Sequence, residues 1–225
     1  MPFRSLLVAD GLSLIFDMDG VIIDSNPVHT QAWLAYLKKF NLVVDNLEQR
    51  MFGRRNDELV RELFGEHLTD EEVFSLGAAK EALYRSMMKE RLTESLVPGL
   101  VEFLSASAHA PAGVATNAEP ANVDFVLDGA GIRDRFQAIV DGHQVSRPKP
   151  HPEIYLKVAN LLQTNPENCI VFEDSYAGAE AARAAGARVV GLKTSHSEFP
   201  DVDLAIQDFR DPALVAWIRQ QRPRS

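Results

Sequence analysis

The chain has 225 residues, 46% hydrophobic and 24% charged, with a net charge of −9. That is the size and balance of a globular core with room for an insert, and the acidic surplus argues against a nucleic-acid partner. Cys169 is the single cysteine, which excludes an intrachain disulfide and suits a reducing compartment.

In chain order, the opening MPFRSLLVADG carries one Arg and a short apolar patch, too weak for a secretory signal. No apolar run reaches the roughly 20 residues of a membrane span, so the cytoplasm is the expected location, with no membrane association. The run LSLIF then leads straight into Asp17, with Asp19 and Gly20 close behind. From 27 to 96 no strand pattern is found. Pro27 suits a first helical position. The run HTQAWLAYLKKF places Trp33, Leu34 and Leu37 on one side of a helix, 61–64 reads as helical, and TDEE opens a long helix over 69–92. Pro98-Gly99 marks the return to a different texture.

That texture is short aliphatic runs alternating with helical stretches. The runs are AGVA before Thr116, AIV before Asp141, CIVF before Glu173, RVVGL and LAI. Helical spacing covers 100–108, 122–130, 152–162 and 177–185, with Gly186 placed to cap the last. Strand and helix in alternation predict a Rossmann-like α/β core, a doubly wound parallel sheet interrupted by an all-α insert. Strands buried on both faces account for continuous apolar runs. The expected division is a core of 1–26 and 97–225 with a helical cap of 27–96. The tail RQQRPRS reads as a frayed terminus, and the glycines of DGAGIRD have no strand ahead of them to make a dinucleotide loop.

Ligands of doubly wound sheets bind beyond the carboxyl ends of the strands. The polar residues that follow the runs are therefore the candidates: Asp17 and Asp19, Thr116 and Asn117, Glu173 and Asp174, and Lys149 in RPKPHPE. Carboxylates converging there repel unless a cation joins them. Oxygen ligands select a hard ion such as Mg²⁺, while a hydroxyl and a lysine suit phosphate oxygens. One carboxylate can then attack phosphorus and a second can act as acid and base. Asp17 and Asp19 stand where these roles fall. Each position also has a structural reading: turn-forming aspartates, Thr116-Asn117 as a helix cap, Lys149 as a surface lysine. Asp24 and Ser25 read as capping and loop residues.

DMDGVIID, VATN, RPKPHPEIY and VFEDS resemble, in order and spacing, the four motifs of the haloacid dehalogenase superfamily. The insert resembles the small helical cap of the subgroup containing beta-phosphoglucomutase and phosphoglycolate phosphatase. The resemblance implies Asp17 as nucleophile and metal ligand, Asp19 as general acid/base with its carbonyl on the metal, and Thr116 and Lys149 holding phosphate. It implies Asp174 as a metal ligand and Glu173 as a ligand or a supporting partner. Pro148 departs from the Gly common before this lysine. In the cap, His29, Trp33, Lys80, Arg54 and Arg55 match positions that read substrate, although Trp33 also suits a helix core.

The expected activity is a Mg²⁺-dependent phosphatase, monomeric, hydrolysing a small phosphate ester of a sugar or polyol through an aspartyl-phosphate. The alternative is a mutase of the beta-phosphoglucomutase type, and further off a catalytically silent binding protein. In the mutase a Ser-Lys-Asn run after the second motif helps hold a second phosphate. Here Ala118-Glu119-Pro120 stands in its place, which favours the phosphatase. A dehalogenase would need neither the acid at Asp19 nor the metal.

Overall fold

A computed structural model describes residues 8–51 and 54–224. Most of the N-terminal patch, Gly53 and the last residue of the basic tail lie outside the described residues. Six strands form one parallel sheet in the order β3-β2-β1-β4-β5-β6. They are β1 Ser13–Phe16, β2 Ala112–Ala115, β3 Ala138–Val140, β4 Cys169–Glu173, β5 Arg188–Leu192 and β6 Leu204–Ile206.

Side-chain alternation divides the core between the two faces. Leu14 and Phe16 of β1 and Ile170 and Phe172 of β4 join one cluster, backed by Leu100, Phe103, Val123 and Leu214. Ile15, Cys169 and Val171 join the other, with Ile154, Val158, Ala181 and Ala182. The helices that cover the first face are α5 Leu100–Ala106, α6 Pro120–Gly129 and α9 Pro212–Ile218; α7 Glu153–Leu161 and α8 Tyr176–Ala184 cover the second. Gly186, at φ +90, ends α8. Its N–H reaches Arg183 O and that of Ala187 reaches Ala182 O, the paired bonds of a Schellman cap.

Between β1 and β2 lie α1 Asn26–Lys38, α2 Leu47–Met51, α3 Asn56–Phe64 and α4 Asp70–Met88. Trp33, Tyr36, Leu37, Leu59, Val60 and Val73 pack into a separate cluster there. Thr69 and Glu72 close a capping box at the start of α4. The two connections to the sheet run side by side: Asp24 N donates to Ser95 O and Val97 N to Ile22 O.

Three details depart from the sequence reading. Leu34 is 52% exposed, because the buried face of α1 runs through His29, Trp33, Tyr36 and Leu37 at helical spacing and turns Leu34 outward. The long helix ends at Met88, and 89–95 forms turns. Residues 212–218, given no element by the sequence reading, form α9, started by Pro212 behind an Asp211 cap.

Candidate active site

β1 and β4 are neighbours, with Phe16 in register with Phe172. Their carboxyl ends therefore deliver Asp17 and the Glu173-Asp174 pair to one edge of the sheet. β2, on the other side of β1, delivers Thr116 and Asn117. Gly20 takes φ +75, and a Cβ there would fall 1.9 Å from Asp174 Oδ2. The close approach of the two loops thus requires glycine after the second aspartate.

One cavity gathers Asp17, Asp19, Thr116, Asn117, Lys149 and Asp174 from the sheet edge. Across from them it is lined by His29, Trp33, Arg54, Arg55 and Lys80 from the helical segment. Glu173 is fully buried behind this wall. Its Oε1 accepts from Lys149 Nζ and Tyr155 Oη, each at 2.6 Å. Its Oε2 accepts from the backbone of Asp174 and Ser175 and from Ser175 Oγ, each at 3.0 Å. So many donors overcome the cost of burial and hold Glu173 ionised, with its carboxyl below the usual range.

Lys149 is 5% exposed. Its Nζ lies 3.0 Å from Asp17 Oδ1 and 3.0 Å from Ala115 O. Burial alone would lower this ammonium, but Asp17 and Glu173 outweigh it and push it upward, so it stays charged. Asp17 goes the other way. Burial, joined by the charges of Glu173 and Asp19, outweighs Lys149 and brings its carboxyl up to about 7. Burial, then Glu173 and Asp17, push Asp174 well above the carboxylate range. Asp174 Oδ2 accepts from Asn26 Nδ2 at 3.0 Å and from Ser195 Oγ.

Oxygens of Asp17, Glu173 and Asp174 come within 4.8 Å of one another, and all three residues are buried. Among the described residues, Asp17 Oδ1 is buried with only the Lys149 ammonium, at 3.0 Å, to satisfy it. An all-oxygen set, over-full of negative charge and with an oxygen to spare, is what a hard divalent cation completes. This triad could bind a metal.

Asp19 sits among different neighbours. Ser25 Oγ donates to its Oδ1 at 2.5 Å, and His29 Nε2 lies 3.5 Å from the same oxygen. Burial would raise Asp19; His29 and Ser25 outweigh it and hold the carboxyl below its ordinary value. His29 stacks on Tyr84 at 3.7 Å, and its Nδ1 is 3.0 Å from Lys80 Nζ. Lys80 is 2% exposed, paired to Glu81 Oε1 at 2.5 Å and placed over the Trp33 ring at 4.9 Å. Arg54 pairs with Glu58 and Glu62, and Arg55 with Asp57.

The sequence reading missed several of these partners. Ser25 begins α1 but makes no side-chain cap bond, because its hydroxyl goes to Asp19. Thr116 does not cap α6 either: Glu119 holds that position, and Thr116 Oγ1 accepts from Ala118 N. Ser195 follows the RVVGL run, so the strand-end rule would have found it. Glu81, Tyr155 and Asn26 gave no comparable signal.

Residues 13–186 match the model of the haloacid dehalogenase-like hydrolases. The chain is 31% identical over 181 residues to the fructose-1-phosphate phosphatase YqaB of Escherichia coli (strain K12), covering 80% of this chain and 95% of that one. It is 29% identical over 186 residues to the beta-phosphoglucomutase of Bacillus subtilis (strain 168), covering 80% and 82%. The crystal structure of beta-phosphoglucomutase from Clostridium difficile superposes with a TM-score of 0.80 at 27% identity, covering 92% of this chain and 96% of the other. The chain belongs to the haloacid dehalogenase-like hydrolase family. It is an enzyme of the family's phosphatase type, with phosphomutase chemistry as the alternative.

Proposed function

Proceeding from that membership, we propose that the protein is a Mg²⁺-dependent phosphatase that releases phosphate from a small phosphorylated sugar or polyol. Residues 1–26 and 97–225 form the catalytic core in this reading, and 27–96 a cap that closes over the sheet edge and excludes water.

Asp17 attacks phosphorus, forming the Asp17–phosphate bond as the ester P–O bond breaks. Asp19 supplies the proton to the leaving oxygen. It then takes a proton from the water that hydrolyses the aspartyl-phosphate, which frees Asp17. His29 and Ser25 hold Asp19 ionised, ready for the water step; for the first step it takes up its proton with the substrate. Lys149 and Thr116 hold phosphate oxygens, and Lys149 also fixes Asp17. Asp17, Asp174 and the backbone carbonyl of Asp19 would hold the Mg²⁺. Glu173, with both oxygens already hydrogen-bonded, would orient Lys149 and the Asp174 loop. When bound, the Mg²⁺ would offset the acidic cluster and the charge on the phosphoryl oxygens.

The observation that favours hydrolysis over the mutase is the charge matching of the cleft. A mutase must hold a second phosphate. Arg54, Arg55 and Lys80 line the cavity, and each already faces a carboxylate of the helical segment, so a second phosphate there would have to displace one. The test offers β-glucose 1-phosphate with Mg²⁺ and a catalytic amount of glucose 1,6-bisphosphate, beside a panel of sugar and polyol phosphates. Free phosphate without glucose 6-phosphate supports the proposal. Rapid conversion to glucose 6-phosphate with little free phosphate makes the protein a mutase.

A further inference from the structure

The cleft has two compartments. The inner one, of about 90 Å³, holds Asp17, Thr116 and Lys149. An outer one, of about 240 Å³, is lined by Arg61, Asp70, Phe74 and His143 among others. Arg55, Asn56, Asn117 and Glu119 line both, so they form the neck between the reacting phosphate and the outer space.

Glu119 is not a free charge there. Its Oε1 accepts from Arg85 Nη1 at 2.6 Å, and the same nitrogen reaches Asn122 Oδ1 at 2.7 Å. Asn122 Nδ2 donates to Glu81 Oε2 at 2.8 Å, which fixes Asn122, and through it Arg85, from the far side. Arg85 lines neither compartment; Glu119 stands between it and the cleft. The two side chains are 24% and 16% exposed, dry enough for the pairing to be stronger than an open surface ion pair. Asn56 offers something different at the same neck. Its Oδ1 is buried and makes no hydrogen bond among the described residues, an acceptor suited to a hydroxyl rather than to an anion.

We infer that Glu119 is a built-in anion: it occupies Arg85 as a second acidic group of a substrate would, and so restricts the site to phosphate esters whose remainder is neutral and hydroxylated. A remote phosphate or carboxylate arriving at the neck meets the Glu119 carboxylate and finds the cations there already paired, Arg85 with Glu119, Arg55 with Asp57 and Arg61 with Asp70. Removing Glu119 leaves Arg85 uncompensated and turns the same place into an anion site. This selectivity rests on the phosphatase reading only in placing the reacting phosphate at Asp17.

The experiment measures binding rather than turnover. Calorimetric titrations in Mg²⁺ compare glucose 1-phosphate with glucose 1,6-bisphosphate on the Asp17→Asn protein, alone and with Glu119→Ala, Glu119→Gln, or Arg85→Ala plus Glu119→Ala. Thermal unfolding checks that each variant folds, and the isosteric Gln keeps the proposal testable if the Ala variant does not. With the carboxylate gone, affinity for the bisphosphate relative to the monophosphate rises about fivefold or more, and the added Arg85→Ala removes the gain. A smaller rise in both Glu119 variants, or a rise that survives loss of Arg85, overturns the inference. Phosphate release from monophosphates by the unaltered protein is followed separately. Its absence, with the affinities changing as stated, removes the phosphatase reading and leaves the selectivity of the neck in place.

Discussion

The two walls of the cleft are built on different principles. On the sheet side, functional groups sit at or just beyond strand ends, and the acidic pair is left with more negative charge than it can hold: Asp17 and Asp174 are pushed toward their neutral forms. On the helical side the charges are balanced internally. Lys80 has Glu81, Arg54 has Glu62, Arg55 has Asp57, and Arg85 reaches across to Glu119. Glu81, despite its burial, is held below the carboxylate range by Lys80, His29 and Asn122. One wall waits for a cation and a phosphate; the other is settled without a ligand. In the proposed reading, chemistry belongs to the sheet edge, and selection to the helices together with Glu119.

The sharpest way to break that division is Asp17→Asn. An amide neither attacks phosphorus nor ligates a hard cation as a carboxylate does, so activity falls by roughly three orders of magnitude or more. Steady-state phosphate release on the best substrate of the panel measures it. Retention of a tenth of the activity would move the nucleophile elsewhere.

The unbalanced wall also sets a pH dependence in metal-free protein. Asp17 and Asp174 have folded-state values above their unfolded ones. Between the ordinary carboxylate range and about pH 7 the folded protein therefore holds more protons than the unfolded chain, and stability falls as pH rises. Asp19, Glu81 and Glu173 are shifted down; the stability they contribute is fully present above the ordinary range and is lost only in stronger acid. In this window they do not reverse the trend. Calorimetry in chelator should show the melting temperature lower at pH 7.5 than at pH 5.5, with Mg²⁺ restoring more at the higher pH. The expected loss is on the order of a few kcal/mol, and a flat or rising profile would show that the cluster needs no cation.

The smallest effect is expected from the balanced wall. Lys80→Met should change the ratio of activities between sugar phosphates by about tenfold, while hydrolysis of a generic aryl phosphate falls less. Equal losses on all substrates would place Lys80 in the chemistry instead.

The sheet edge was legible in the sequence because a strand has a direction. LSLIF and CIVF each end in carboxylates, and a parallel sheet must bring those ends together whatever the loops do. Gly20 could be read as a residue that lets the chain turn beside the aspartates; its close approach to Asp174 could not. The parallel core, the helical run between β1 and β2 and the cap at Gly186 followed from periodicity and terminal residues. What the sequence could not show is which polar groups meet across packed helices. Ser25 reads as a cap and serves Asp19; Leu34 reads as core and faces solvent. Glu119 reads as a bare negative charge and is matched by Arg85, 34 residues away in the chain. Those outcomes depend on how α1 and α4 turn against each other and against α6. No local pattern encodes that rotation; it is set by the joint packing of apolar faces distant in the chain, and only the tertiary structure decided it.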